Sequence, residues 1–193
     1  MELTAKFAAA VEMAGRLHAE QRRRLWRVPY VGHLLRVAGT VAEWAEDEET
    51  VIAAVLHDAI EDQGGPAARE MIRASFGDRV AAIVDECSDT DEKPKPPWRA
   101  RKEAYLAHLK KASPEARLIV AADKLDNIRS LIAGYVEHGE SLWDHFHGGR
   151  DETLWFYGRV VSILEAKMSG PLVCELAREL RQFQNLTETA SKP

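Results

Sequence analysis

Apolar residues recur along this chain at helical spacing, and no stretch alternates apolar and polar positions for long enough to make a useful strand. The pattern predicts an all-α helical bundle. A first helix is expected from Thr4 to about Gln21, with Phe7, Val11, Ala14, Leu17 and His18 on one side and the basic run Arg22, Arg23 and Arg24 at its end. Val28-Pro29-Tyr30 is a break, because proline biases its predecessor away from helix, and a second helix should run from His33 to about Ala45. A third begins at Glu48 or Glu49 and continues to Asp62, where Gln63-Gly64-Gly65-Pro66 stops it. Further helices are expected over 66–76, 78–87, 98–111, 114–132, 151–168 and 171–184, with a polar, proline-rich loop at 88–97. Ser113-Pro114 is a start signal, serine as N-cap and proline at the first helical position. Residues 1–186 read as one domain, followed by a frayed tail over 187–193.

Two places violate this pattern. After the apolar run Val51 to Leu56 come His57 and Asp58, then Glu61 and Asp62, inside what otherwise reads as helix core. If the helix continues, Glu61 lies one turn after His57 and Asp62 one turn after Asp58, so two pairs project from overlapping faces. Asp123 likewise ends the apolar stretch Leu118 to Ala122, with Asn127 one turn later. Burying such groups without partners costs several kcal/mol each, so they need one another or a cation. Imidazole and carboxylate donors without thiolate suit Mn, Fe, Co or Zn, and His33, His57, Asp58 and Asp123 would supply two nitrogen and two oxygen ligands. Glu61 and Asp62 would then orient or deprotonate a water bound beside the metal. The bland alternative for an isolated His-Asp pair is a satisfied core histidine beside a helix-end carboxylate. The acidic pair and Asp123 together argue against it.

Composition narrows the field further. With 193 residues, 46% hydrophobic, the chain can bury a sizeable core without disulfides. A net charge of -5 argues against broad nucleic-acid binding while leaving room for a local basic patch. Its two cysteines, Cys87 and Cys174, are isolated, which fits a reducing cytoplasm, and no apolar run reaches the roughly 18 to 20 residues needed to span a membrane. A soluble, cytoplasmic protein with a small-molecule ligand is expected; the oligomeric state is left open.

The ordered set Tyr30-Val31-Gly32-His33, His57-Asp58-Ala59-Ile60-Glu61-Asp62 and Ala122-Asp123-Lys124-Leu125-Asp126-Asn127 resembles the hydrolase domain of RelA/SpoT-type enzymes, within the HD phosphohydrolase superfamily, and most of all the small stand-alone alarmone hydrolases. The resemblance runs from about Phe7 to Leu180. It implies a helical HD fold, one Mn ion held by His33, His57, Asp58 and Asp123, and removal of the 3′-pyrophosphate from guanosine tetra- or pentaphosphate. Glu61 and Asp62 match the pair that positions the attacking water, Asn127 an asparagine near the ribose, and Ser130 a position facing the nucleotide. Arg23 resembles a base-stacking arginine, with Arg22 and Arg24 as phosphate-facing alternatives; the competing reading makes all three a solvated helix end. The length leaves no room for synthetase or regulatory domains.

Other residues have weaker claims. Lys93, Lys95, Arg99, Arg101 and Lys102 surround the proline-rich loop and could approach a pyrophosphate, but most of them are read as solvated charge. Trp155 and Tyr157 are read as core aromatics, His138, His145 and His147 as surface histidines, and His18 as a packing or hydrogen-bonding residue. Leu25-Trp26-Arg27-Val28 stands where related hydrolases commonly have a glycine-containing polar turn, and Gln63 replaces a frequent threonine. Adenine alarmones or another nucleotide therefore remain alternative substrates, and a nucleotide-binding regulatory module without turnover is the alternative from a different class.

Overall fold

Helix α3 (Glu48–Leu56) is the centre of the first half of the chain, and every residue from Thr50 to Leu56 is buried. The computed structural model describes residues 1–90, 94–146 and 148–189. Asp47 starts α3 by accepting the Thr50 amide at 2.9 Å, satisfying one of the donors a helix N-terminus leaves open. Around it pack α1 (Ala5–Leu17), α2 (Val31–Ala42) and α6 (Asp78–Cys87), with α5 (Pro66–Phe76) against α6. A short α4 (Ala59–Gln63) lies between α3 and α5, and α7 (Trp98–Leu109) packs on α6. Arg79 ties this arrangement together, bonding Asp47 and Glu49 at 2.8 Å and Glu115 at 2.9 Å.

The chain forms two compact units, Met1–Val120 and Ala121–Pro193. The long helix α8 (Pro114–His138) contributes residues to both, and the Ser113 hydroxyl caps it by accepting the Ala116 amide at 3.1 Å. Within the second unit a 3₁₀ segment (Gly139–His145) leads to α9 (Gly149–Lys167) and α10 (Pro171–Thr189). Its core groups Tyr135, Trp143 and Phe183 in tilted and edge-on contacts with ring centroids 5.9 to 6.4 Å apart.

Among the described residues every regular element is helical, and the single extended pairing is an isolated bridge between Arg22 and Pro29. Four expectations need correction. The first helix ends at Leu17, so Arg22, Arg23 and Arg24 lie in a loop and have no helix end to stabilise. The second helix starts at Val31 and stops at Ala42, putting His33 inside its first turn. The third helix breaks at His57 and Asp58, so the one-turn spacing assumed for Glu61 and Asp62 does not hold through a single helix. Finally α8 runs on to His138 and α10 to Thr189, with Thr187 fully buried where a frayed tail was expected; residues 190–193 lie outside the described residues.

Candidate metal centre

The break between α3 and α4 is what builds the site. Asp58 sits at φ -96°, ψ -1°, the bridge region, and its carbonyl accepts the Asp62 amide at 3.0 Å to start α4. His57 and Asp58 thereby face His33 of α2, and donor atoms of the three residues lie within 4.8 Å of one another. His33 is fully buried and His57 nearly so. The His57 Nδ1–H donates to the Ala54 carbonyl at 2.8 Å; since a carbonyl only accepts, the lone pair is left on Nε2. That Nε2 is 3.0 Å from Asp58 Oδ2, and His33 Nε2 is 3.6 Å from the same oxygen.

This geometry fits a cation. Ligands bound at about 2.1 Å and at right angles stand ~3 Å apart, the scale of these separations. One proton could reconcile Asp58 Oδ2 with one imidazole, but not with two at once. Tyr30 supplies the outer contact, its hydroxyl donating to Asp58 Oδ2 at 2.6 Å while its ring meets His33 edge-on at 5.2 Å. Outer hydrogen bonds of this kind hold a ligating carboxylate in place.

Glu61 and Asp62 follow on α4 with different surroundings. The Glu61 carboxylate accepts the Asp89 amide at 3.1 Å and Lys95 Nζ at 3.0 Å. Asp62 keeps solvent access as a residue, yet its carboxylate is crowded by protein and lies near Asp58 and Glu61. Desolvation first, then those two carboxylates, push its pKa up to about 6, against a lowering contribution from the Gln21 amide. A carboxylate poised there can take a proton near neutral pH.

The remaining predicted residues fall as follows. Arg23 sets its guanidinium over the Tyr30 ring at 5.8 Å, whereas Arg22 turns back onto the Ala19 and Gln21 carbonyls at 3.1 and 3.3 Å. Their loop folds as a tight hairpin, with the Arg23 amide bonded to the Val28 carbonyl at 2.9 Å. Arg27 adopts φ 56° there, a left-handed conformation that usually favours glycine. Asp123, Asn127 and Ser130 belong to the second unit, on α8. Asp123 is buried, its oxygens held by Lys124 Nζ at 2.6 Å and Asn127 Nδ2 at 2.5 Å. The structure thus brings three of the four expected ligands together in the first unit.

Among the basic residues near the proline-rich loop, Lys95 and Arg99 are exposed as expected, whereas Arg101 and Lys102 are not solvated, which corrects the expectation for those two. Asp89, only 4% exposed, is paired with Arg101 and with Lys102 at 2.6 Å, and Lys95 reaches Glu61. A buried carboxylate draws the cations inward; Lys93 lies outside the described residues. His138 and His145 are exposed as expected, His147 is outside the described residues, and Trp155 and Tyr157 are half-buried beside Phe156. Sequence reasoning gave no role to the Tyr30 hydroxyl or to Gln21, and did not pair Lys95 with Glu61. For Tyr30 a signal existed, since a tyrosine three residues before a ligand histidine has a polar tip that needs a partner when the ring is covered.

Residues 10–153 match the family model described as HD domain. A Drosophila melanogaster protein named guanosine-3′,5′-bis(diphosphate) 3′-pyrophosphohydrolase MESH1 is 36% identical over 131 residues, 66% of this chain and 70% of that protein. The guanosine-3′,5′-bis(diphosphate) 3′-pyrophosphohydrolase of Aquifex aeolicus is 35% identical over 122 residues, 63% of this chain but 17% of that much longer protein. A solved structure described as a metazoan ortholog of SpoT that hydrolyses ppGpp superposes with a TM-score of 0.78 at 29% identity, covering 94% of this chain and 97% of that one.

Proposed function

We propose, from the premise that the chain belongs to the HD domain family, that it is a divalent-metal-dependent hydrolase removing the 3′-pyrophosphate of guanosine tetra- and pentaphosphate. The observation that carries this is the convergence of His33, His57 and Asp58 donor atoms within 4.8 Å, followed at once by Glu61 and Asp62 on α4. The relatives' named activity supports the same substrate. Because the HD match runs through residues 10–153, residues 1–186 are taken as one functional domain.

Manganese is the proposed metal, since two imidazoles with carboxylate oxygen form a borderline to hard donor set. Asp123 is the proposed fourth ligand on chemical grounds, a buried carboxylate in an otherwise apolar stretch of α8. When bound, a divalent cation lowers the pKa of its water and offsets phosphate charge. The residues of the chain supply the rest. Asp62, or Glu61 beside it, orients water and takes its proton as the water oxygen bonds to the phosphorus attached to the ribose 3′-oxygen. The bond from that phosphorus to the 3′-oxygen breaks, pyrophosphate leaves, and a proton ends on the 3′-hydroxyl. Tyr30 holds Asp58 through Oδ2, Arg23 stacks on the purine, and Asn127 and Ser130 bind the nucleotide. A nucleotide substrate supports a cytoplasmic setting.

The test is a metal-supplemented hydrolysis screen of ppGpp, ppApp, GTP and nucleoside monophosphates, with pyrophosphate and orthophosphate measured separately. Pyrophosphate from ppGpp, and not from GTP, is expected. Orthophosphate from monophosphates, with no pyrophosphate from either alarmone, would assign the site to a different HD phosphohydrolase activity.

A further inference from the structure

The residues around Asp62 form a hydrogen-bonded chain in which each link fixes the next. Gln21 Nε2 donates to Asp62 Oδ2 at 2.7 Å. An ionised carboxylate accepts only, so the Gln21 amide must present its nitrogen to Asp62 and its oxygen to the other side. On that side stand Gln63 Nε2 at 2.5 Å and His18 Nδ1 at 2.6 Å from the same oxygen. A carbonyl oxygen also accepts only, so Gln63 donates to it and the His18 proton sits on Nδ1. The second approach of Gln63, 3.4 Å from His18 Nδ1, is too long to compete.

His18 is a rigid end for this chain. It is 2% exposed, its ring stacks on Tyr30 at 5.5 Å, and burial lowers its pKa, favouring a neutral ring whose one proton the chain places on Nδ1. Gln63 is the last residue of α4 and Gln21 lies in the turn after α1, so two elements 42 residues apart in sequence meet through their amides. Asp62 itself stands near the end of a five-residue helix that runs into Gly64 and Gly65, both at positive φ. Its own helix does little to restrict its carboxylate, and the Gln21 contact supplies the restriction.

We propose that Gln21 is a positioning residue of the hydrolytic site: clamped by Gln63 and His18, its amide holds Asp62 Oδ2 and so fixes the carboxylate that receives the attacking water. The proposal rests on the hydrolase reading above. A water must be held within a fraction of an ångström of its line of attack, so freeing the Asp62 rotamer lowers the rate without weakening the grip on nucleotide or metal.

Two measurements on the full-length, metal-loaded protein test it. The first uses the zinc-loaded form, which is diamagnetic, and long-range proton–nitrogen spectra of the histidine rings. His18 is expected as the Nδ1–H tautomer in the wild type and as a mixture or the other tautomer in Gln21→Leu. An Nε2–H tautomer in the wild type, or no change in Gln21→Leu, would overturn the chain. The second is kinetic: Gln21→Leu should lower kcat on ppGpp roughly 10- to 100-fold, part of the ~10²–10⁴-fold that positioned acid–base help supplies, with KM and metal affinity within about twofold. Gln63→Ala, at a half-buried helix end, should show the same split with a smaller loss and serves if Gln21→Leu fails to fold. Unchanged kcat in the variants, or a change confined to KM, would overturn the positioning role. A wild type that releases no pyrophosphate would instead remove the activity reading, while the His18 tautomer would still report on the chain.

Discussion

Two acidic positions, half-buried Asp58 and buried Asp123, interrupt apolar helical sequence in the same way, and the fold resolves them differently. At Asp58 the helix stops, turns through the bridge region and resumes as α4, leaving a carboxylate oxygen 3.0 and 3.6 Å from two buried imidazole nitrogens. At Asp123 the helix continues unbroken, and the carboxylate is balanced by Lys124 and Asn127 of its own helix. The His57 Nε2 lone pair facing a carboxylate oxygen suits a shared cation, whereas a lysine already neutralises its partner. The first position therefore fits an ion, whereas the second, proposed as a fourth ligand, would have to exchange its lysine contact to bind one.

The largest effects should come from breaking the first position. His57→Ala should abolish metal binding and cut turnover roughly 10³-fold or more, since the metal supplies several kcal/mol of transition-state stabilisation. Asp123→Ala should do the same if that carboxylate ligates, and full manganese occupancy in this variant, read by elemental analysis, would remove Asp123 from the ligand set. Glu61→Gln should separate chemistry from binding, lowering kcat by ~10²–10⁴-fold while metal content stays at the wild-type level. Near wild-type kcat would take Glu61 out of the mechanism.

A smaller effect is expected from Tyr30→Phe, which removes only the hydroxyl bonded to Asp58 Oδ2. Metal affinity should weaken by ~10- to 100-fold, measured by competition with a fluorescent chelator, and unchanged affinity would show that Asp58 is held without it.

How much of this was legible in sequence depended on how local the cause was. The bounds of α5 and α6 coincide with the expected ones, because Gly65-Pro66 and Gly77 punctuate the chain by local backbone chemistry. The candidate ligands were legible as costly residues in apolar segments. The break at His57 was not, since the apolar period runs smoothly into it and only the convergence on His33 calls for it. The amide chain through Gln21 and Gln63 gave no signal at all, because two glutamines 42 residues apart carry no periodicity and each alone reads as surface.

The smallest effect concerns the α3 cap beneath the site. The Arg79 hydrogen bond first, then the Thr50 amide and hydroxyl, lower the Asp47 pKa from 3.8 to about 2. A lowered carboxylate pKa means the stabilisation is fully present above pH 3.8 and disappears as pH falls through about 2. Asp47→Ala should lose ~1 kcal/mol of stability at neutral pH. The gap from wild type should shrink below pH 3.8 in thermal melts. A gap independent of pH down to 2 would show that the carboxylate charge contributes nothing.

The most direct test of a cation-driven His33–His57–Asp58 centre is to measure metal content and pyrophosphate release from ppGpp on the same samples, stripped and then reloaded with manganese in graded amounts. The rate should rise in proportion to occupancy and saturate at one ion per chain, with none left in the stripped protein. A stripped protein that keeps its full rate, or an occupancy of one ion per chain that persists unchanged in His57→Ala, would contradict it.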